Sequence, residues 1–348
     1  MSTAEAKVLV TGASGFIALH CVLQLLQNGY RVRGTLRTPS RADGLRKTVE
    51  GRTEVGDRLE FVTADLSDDA GWPEAVEGCR YVLHVASPFP REVPKDENDL
   101  IVPARDGALR VLKAAADAGV ERVVMTSSLA AVLYGHVRDG SKTFDENDWS
   151  KTEEAIGAYE KSKTIAERAA WDFANNLPDD KKMELAVINP GIVLGPILDD
   201  DYGTSGELVR KLMARELPGC PQVGWAPVDV RDVAAAHLAA MTTPEAAGKR
   251  FCCAIDHAWM SDIAEILDKN FSDRGYRIPT RRVPNFVMRL VAIFDKAAKL
   301  AVGDLGKRQD ISNARIKDVL GWKPRPLDEM VVAMGDSLIE HNVVDAGS

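Results

Sequence analysis

The chain has 348 residues, 45% of them hydrophobic, and a formal net charge of −8. That length suits one large core with a smaller lobe, and the acidic balance argues against a nucleic-acid backbone or an anionic membrane as partner. The five cysteines, Cys21, Cys79, Cys220, Cys252 and Cys253, have neither zinc-type spacing nor a secreted disulfide framework, so no metal centre is expected and the thiols read as reduced, in a cytoplasmic protein. The N-terminus has no basic segment followed by an apolar one, and the apolar stretch from Phe286 to Val302 is interrupted by Arg289, Asp295, Lys296 and Lys299, so neither export nor a membrane span is expected.

The first element organises the rest. Lys7-Val8-Leu9-Val10 runs into Thr11-Gly12-Ala13-Ser14-Gly15, and apolar positions then recur at Phe16, Leu19, Val22, Leu23 and Leu26. This is strand, tight turn and helix. Gly12 and Gly15 allow a sharp bend and a close approach of backbone to ligand, while Ser14, Phe16 and Ile17 begin a helix whose free N–H groups suit a pyrophosphate. The second strand, Tyr30 to Leu36, ends in Arg37 with no acid before Asp43. An NAD-binding domain usually carries an acid about 20 residues beyond the turn to accept the ribose 2′-hydroxyl. A guanidinium in its place suits the 2′-phosphate, so NADPH is the expected cofactor.

A third strand, Leu59 to Thr63, leads into Ala64-Asp65-Leu66, where Asp65 either hydrogen-bonds an adenine or caps a helix starting near Asp68. The fourth, Arg80 to Val85, stops at Ala86-Ser87-Pro88-Phe89-Pro90, whose small residues leave room beside the strand for a flat cofactor. His84, inside that apolar strand, reads as a core histidine. A helix from Leu100 to Ala118 precedes a fifth strand, Val120 to Met125, which delivers Thr126-Ser127-Ser128 at its carboxyl end, where open α/β sheets bind ligands. The alternation predicts an α/β fold, a Rossmann-type doubly wound parallel sheet with a smaller C-terminal substrate-binding lobe. The polar loop from Gly135 to Ser150 reads as surface and as part of a lid.

A helical pattern runs from about Lys151 to Asn175, and its inward stripe, Tyr159, Lys163, Ala166 and Ala170, contains a lysine. A buried ammonium needs a reason. One is an ordinary pair with Glu160 or a side chain that reaches water. The other is chemical: one turn from Tyr159, the charge of Lys163 lowers the phenol's pKa and its N–H groups hold a cofactor ribose.

Together with Asn189-Pro190-Gly191, these motifs resemble the extended short-chain dehydrogenase/reductases. More narrowly, Val82 to Phe89, Asp229 to Ala234 and Gly321-Trp322-Lys323-Pro324 resemble the branch of dihydroflavonol 4-reductases and microbial aldehyde and methylglyoxal reductases. The resemblance implies that Ser128 and Tyr159 hold a substrate carbonyl, that Tyr159 donates the proton, and that Lys163 tunes Tyr159 and binds the nicotinamide ribose. It puts Asn189 and Pro190, at the end of a sixth strand (Leu185 to Ile188), near the nicotinamide, and adds Asp65, Leu66, Ala86 and Ser87 to the cofactor contacts. Where the plant flavonoid reductases carry a substrate-binding Asn, this chain has Leu133, which removes a hydrogen bond to a hydroxylated ring and disfavours a flavonoid.

Residues 1–194, with 226–256 returning to them, are expected to form the cofactor domain, and 195–225 with 257–342 the substrate lobe. A helix near Ser205 to Ala214, a helix from Asp229 to Met241 and a strand from Lys249 to Ala254 are expected there. Asp199-Asp200-Asp201 reads as a solvated loop, Cys252 and Cys253 as packing residues on opposite strand faces, and Phe286 to Phe294 as pocket wall or lobe core. The expected activity is NADPH-dependent reduction of an aldehyde or ketone to the alcohol by a monomer or homodimer. The competing readings are a nucleotide-sugar epimerase or dehydratase, a 3β-hydroxysteroid-type dehydrogenase, and a non-catalytic NADP sensor. Arg37, and Leu129 where dehydratases carry an acidic pair, oppose the first; the serine, tyrosine and lysine kept together oppose the last.

Overall fold

The computed structural model describes residues 6–88, 96–294, 299 and 301–346; Phe89, Pro90, Asp295 and Lys296 lie outside these. Six strands, β1 (Lys7–Val10), β2 (Arg31–Leu36), β3 (Leu59–Thr63), β4 (Tyr81–His84), β5 (Arg122–Thr126) and β6 (Glu184–Pro190), pair in parallel in the order 3-2-1-4-5-6. A seventh, Arg250–Cys253, adds in parallel at the β6 edge. The Lys249 to Ala254 stretch thus returns to the sheet as its spacing indicates. The order in which successive strands are added reverses between β1 and β4, and α/β sheets bind nucleotides outside such a switch point.

Both sheet faces are covered. Helices α1 (Phe16–Gln27) and α7 (Val230–Thr242) bury Leu19, Val22, Leu26, Val233 and Ala236 against Val8, Val10 and Ile188. On the other face α4 (Asn98–Asp117) and α5 (Ala158–Asn175) bury Val111, Leu112, Ala166 and Ala170 against Leu9, Val82 and Val123. Residues alternate along a strand, so Cys253 enters the first core and Cys252 packs with Leu129, Leu133 and Phe144. All five cysteines are buried and unpaired. A third core joins Leu194, Ile197, the helix α6 (Gly203–Met213), the helix Met260–Phe271 and the helix Leu327–Glu340.

Several local expectations change. The helix carrying Tyr159 begins at Ala158 rather than Lys151, because Ser150 and Lys151 donate their backbone N–H groups to Ala131 and Tyr134 and hold the chain off the helical path. The 135–150 loop is pinned and is no free lid: Phe144 is buried and exchanges backbone hydrogen bonds with Asp310 and Ser312, and Arg138 pairs with Asp304. No helix starts near Asp68; it starts at Trp72, after a turn in which Asp65 accepts hydrogen bonds from the backbone and hydroxyl of Ser67. Asp199 and Asp201 likewise accept backbone N–H groups within their own loop, and Asp199 lies 3.6 Å from Arg41. The helix Asn285–Val291 is not core: Phe286 and Leu290, with Ile293 and Phe294 just beyond it, are exposed, the last by 91%, and Phe286 lines a surface cavity with Trp259 and Val283.

Candidate active site

Two loops meet at the switch point. Gly12 has φ +64°, and a Cβ added there would stand 3.0 Å from that of Ala86. Only glycine allows the turn after β1 to lie against the end of β4 in this way. Thr11 ties the two together, its hydroxyl accepting the Ala86 N–H at 2.9 Å and meeting His84 Nδ1 at 3.0 Å. His84 is therefore a buried structural histidine, and desolvation drives its pKa down to about 3. The Gly12 N–H is taken by Thr35 at 2.9 Å. Gly15 precedes the first turn of α1, which has neither a side-chain cap nor an acidic residue, a combination that leaves donors and positive dipole for an anion. Phe16 and Ile17 sit in that turn and Ser14 just before it, all half-buried, with Phe16 also packed against the third core.

Arg37 follows β2 in solvent, and Asp65 follows β3; the two are close enough that Arg37 helps hold the Asp65 carboxyl below its usual range, after the larger effect of Ser67. Leu66 is half-buried against the second core and gives its carbonyl to Arg110. These residues flank the same end of the sheet as Gly12 and Gly15. Uncapped N–H groups, an exposed guanidinium and the absence of an acid at the end of β2 fit a dinucleotide bearing a 2′-phosphate.

The adjacent serines have separate surroundings. Ser127 is buried and donates its hydroxyl to Glu167 at 2.6 Å. Ser128 begins a 3-10 turn, its hydroxyl accepting the Ala130 N–H at 3.1 Å, and it hydrogen-bonds the Tyr159 side chain. Tyr159 is half-buried, and burial raises its pKa, with the Ser128 hydrogen bond opposing. Lys163, one turn on, donates to the Ser87 hydroxyl at 2.9 Å and stands 5.8 Å from the centre of the Tyr159 ring. Burial depresses its pKa to about 8. It forms no pair with Glu160, and the expected lowering of the phenol's pKa by Lys163 is absent here, because the ammonium faces Ser87 and the ring and desolvation of the phenol dominates.

Asn189 closes the site from β6. Its Nδ2 donates to the Ser128 carbonyl at 3.2 Å and to Glu167 at 2.7 Å, and Pro190 ends the strand. Leu133 is only 1% exposed, inside a core with Leu129, Phe144 and Ile311, and has no open surface for a substrate. Its neighbour Tyr134 is half-buried beneath the Arg138 guanidinium, 4.4 Å from the ring centre, and couples electrostatically to Tyr159. Sequence reasoning missed Glu167 and Arg250. Stepping by four from Tyr159 through Lys163 reaches Glu167, a carboxylate on the buried stripe, and that was the available signal. Among the described residues no cluster of three metal-ligating side chains occurs, and no helix is long and apolar enough to cross a membrane. Two surface cavities, of about 710 and 470 Å³, are lined by residues between Arg215 and Phe286 and include none of Ser128, Tyr159 or Lys163.

Residues 8–254 match the model of the NAD dependent epimerase/dehydratase family. The chain belongs to that family. Among curated members, cinnamoyl-CoA reductase 1 of Petunia hybrida is 40% identical over 278 residues, covering 79% of each chain. The NADPH-dependent methylglyoxal reductase of Saccharomyces cerevisiae is 34% identical over 346 residues, covering 93% of this chain and 96% of that one. A crystal structure of the yeast methylglyoxal/isovaleraldehyde reductase complexed with NADPH superposes with a TM-score of 0.81 at 32% identity, covering 97% of this chain and 99% of the other.

Proposed function

We propose that this member of the family is an NADPH-dependent carbonyl reductase that converts an aldehyde or a ketone to the alcohol. The observation that carries the reading is the hydrogen bond between Ser128 and Tyr159, with the Lys163 ammonium one turn away, at the sheet end that also bears the glycine turn. Bound NADPH supplies the hydride. The chain's part is to hold the substrate and manage the proton. Ser128 donates a hydrogen bond to the carbonyl oxygen, and Tyr159, kept in its acid form by burial, hands its proton to that oxygen. Lys163 offers an ammonium to the ribose hydroxyls and to the tyrosinate left behind. The turn residues Gly12, Ser14, Gly15, Phe16 and Ile17 would carry the pyrophosphate, Arg37 the 2′-phosphate, Asp65 and Leu66 the adenine, and Ala86, Ser87, Asn189 and Pro190 the nicotinamide half.

The NADPH-dependent yeast relative, matched along nearly the whole chain, and Arg37 without an acid favour this over a nucleotide-sugar epimerase or dehydratase, the activities in the family's title. A small aldehyde is the preferred substrate class, as for the yeast methylglyoxal/isovaleraldehyde reductase that superposes along nearly the whole chain. The proposed division into a cofactor domain and a substrate lobe follows the separation of the third core from the first two. Five unpaired thiols suit a reducing compartment, the cytoplasm. The test is NADPH oxidation with isovaleraldehyde and methylglyoxal. Wild type should consume NADPH, and Tyr159→Phe should lose at least a thousandfold in kcat while its NADPH affinity, read by fluorescence, changes less than threefold. Turnover by Tyr159→Phe near the wild-type rate would remove Tyr159 as the proton donor.

A further inference from the structure

One carboxylate outside the reacting groups holds the elements that carry them. Glu167 lies on α5, one turn beyond Lys163 and two beyond Tyr159, and is fully buried. Its Oε2 accepts from the Ser127 hydroxyl at 2.6 Å, from Asn189 Nδ2 at 2.7 Å and from Arg250 Nη2 at 3.1 Å. Its Oε1 lies 2.7 Å from Arg250 Nε and 3.3 Å from Trp171 Nε1. The side chain thereby bonds helix α5 to the ends of three neighbouring strands. Asn189 passes the connection on, since the same Nδ2 donates to the Ser128 carbonyl at 3.2 Å. Both of its acceptors are oxygens, which fixes the orientation of that amide.

A buried ion pair is a poor source of stability, because desolvation consumes most of the attraction. A well-packed apolar group would join helix to sheet as firmly. What an apolar group cannot do is fix the position of the strand end at Ser127-Ser128 against the helix bearing Tyr159. We propose that Glu167 is a positioning residue for carbonyl reduction, setting the spacing of the Ser128 and Tyr159 hydroxyls through Ser127 and Asn189, with Arg250 as its counter-ion. The inference rests on the carbonyl-reductase reading of the site. Glu167 also opposes the depression of the Lys163 pKa; the other titratable groups facing that ammonium are Tyr159 on its own helix and His84 on β4, which stays neutral.

The experiment uses the full chain with NADPH and isovaleraldehyde, comparing wild type, Glu167→Gln and Ser127→Ala for kcat, KM, NADPH affinity, melting temperature and the pH profile. Ser127→Ala keeps the Glu167–Arg250 pair and deletes one bond, so it folds even where Glu167→Gln leaves Arg250 unpaired and fails to. The expected result is a kcat lowered about tenfold in Ser127→Ala and a hundredfold in Glu167→Gln, with KM and NADPH affinity within threefold of wild type. In Glu167→Gln the alkaline limb of the profile should also move to lower pH. A folded Glu167→Gln with wild-type kcat and pH limb overturns the inference, as does wild-type kcat in Ser127→Ala, or losses in KM, NADPH affinity and melting temperature that track the loss in kcat. A wild-type protein that reduces no carbonyl overturns the reductase reading itself, and this inference with it; an active wild type with indifferent variants overturns the inference alone.

Discussion

Lys163 is kept where folding alone would not put it. Its pKa falls from 10.5 to about 8, so the folded chain disfavours the ammonium relative to the unfolded chain. The cost is present in full below about pH 8, where both states bind the proton, and disappears as pH rises from 8 to 10.5. At roughly 1.4 kcal/mol per pKa unit the shift amounts to a few kcal/mol. Lys163→Met should therefore match or exceed wild type in urea midpoint at pH 7, with the advantage fading between pH 8 and 10.5, while carbonyl reduction drops at least a hundredfold. A variant less stable than wild type at pH 7 would mean that the Ser87 hydrogen bond outweighs desolvation. The lysine's position was legible in the sequence, because a charge on an apolar helical stripe is conspicuous. Its direction was not: whether the ammonium meets Tyr159, Glu160 or Ser87 depends on β4, far away in the chain.

At the scale of elements, the junction after β6 is set by backbone proximity. Gly191 donates to the Cys253 carbonyl at 3.3 Å, and Ile192 to that of Ala226 at 3.0 Å. A Cβ at 191 would stand 1.7 Å from the Ala226 carbonyl oxygen and 3.3 Å from Ala254 Cβ. No rotamer relieves a clash with main chain, so Gly191→Ala should cost about 3 kcal/mol or more in urea unfolding. An unchanged midpoint would show that the strand from Ile192 to Leu194 separates from Ala226 without penalty. The sequence marked Gly191 only as part of a motif. Its reason is a contact with Ala226, 35 positions away. The 135–150 loop and the Asn285–Val291 helix teach the same lesson in opposite directions. Polar composition suggested a free lid where Phe144 is anchored to Asp310, and apolar composition suggested a lobe core where Phe286 and Phe294 face solvent.

Across the whole molecule, histidines kept neutral by burial weigh on the acid limit, and three of them are fully enclosed. His84, His20 and His237 hold pKa values of about 3, 4 and 4, each lowered mainly by burial. His237 bonds Thr126 at 2.7 Å and the Val233 carbonyl at 2.8 Å, and His20 the Pro196 carbonyl at 2.8 Å, all arrangements suited to neutral rings. The unfolded chain binds their protons from about pH 6.5 downward and the folded chain does not, so stability falls as pH drops from 6.5 towards 4. At pH 5 each should subtract about 1–2 kcal/mol relative to pH 7. Urea titrations at the two pH values should show a combined loss of several kcal/mol, reduced by about 1–2 kcal/mol in a His237→Gln variant. Equal stability at pH 5 and pH 7 would refute the assignment of neutral rings.

By itself the sequence determined the order of strands and helices, the glycine turn, Arg37 in place of an acid, and the Tyr159–Lys163 spacing. These are local patterns of period two, of period three to four, or of fixed offset, and short stretches of chain carry them whole. The tertiary structure decided which serine meets Tyr159, where Lys163 directs its protons, that Leu133 is core, and that Glu167 joins the helix to three strand ends. Each of those depends on where residues tens of positions apart come to rest, and burial, which sets their charges and partners, is a property of the packed chain.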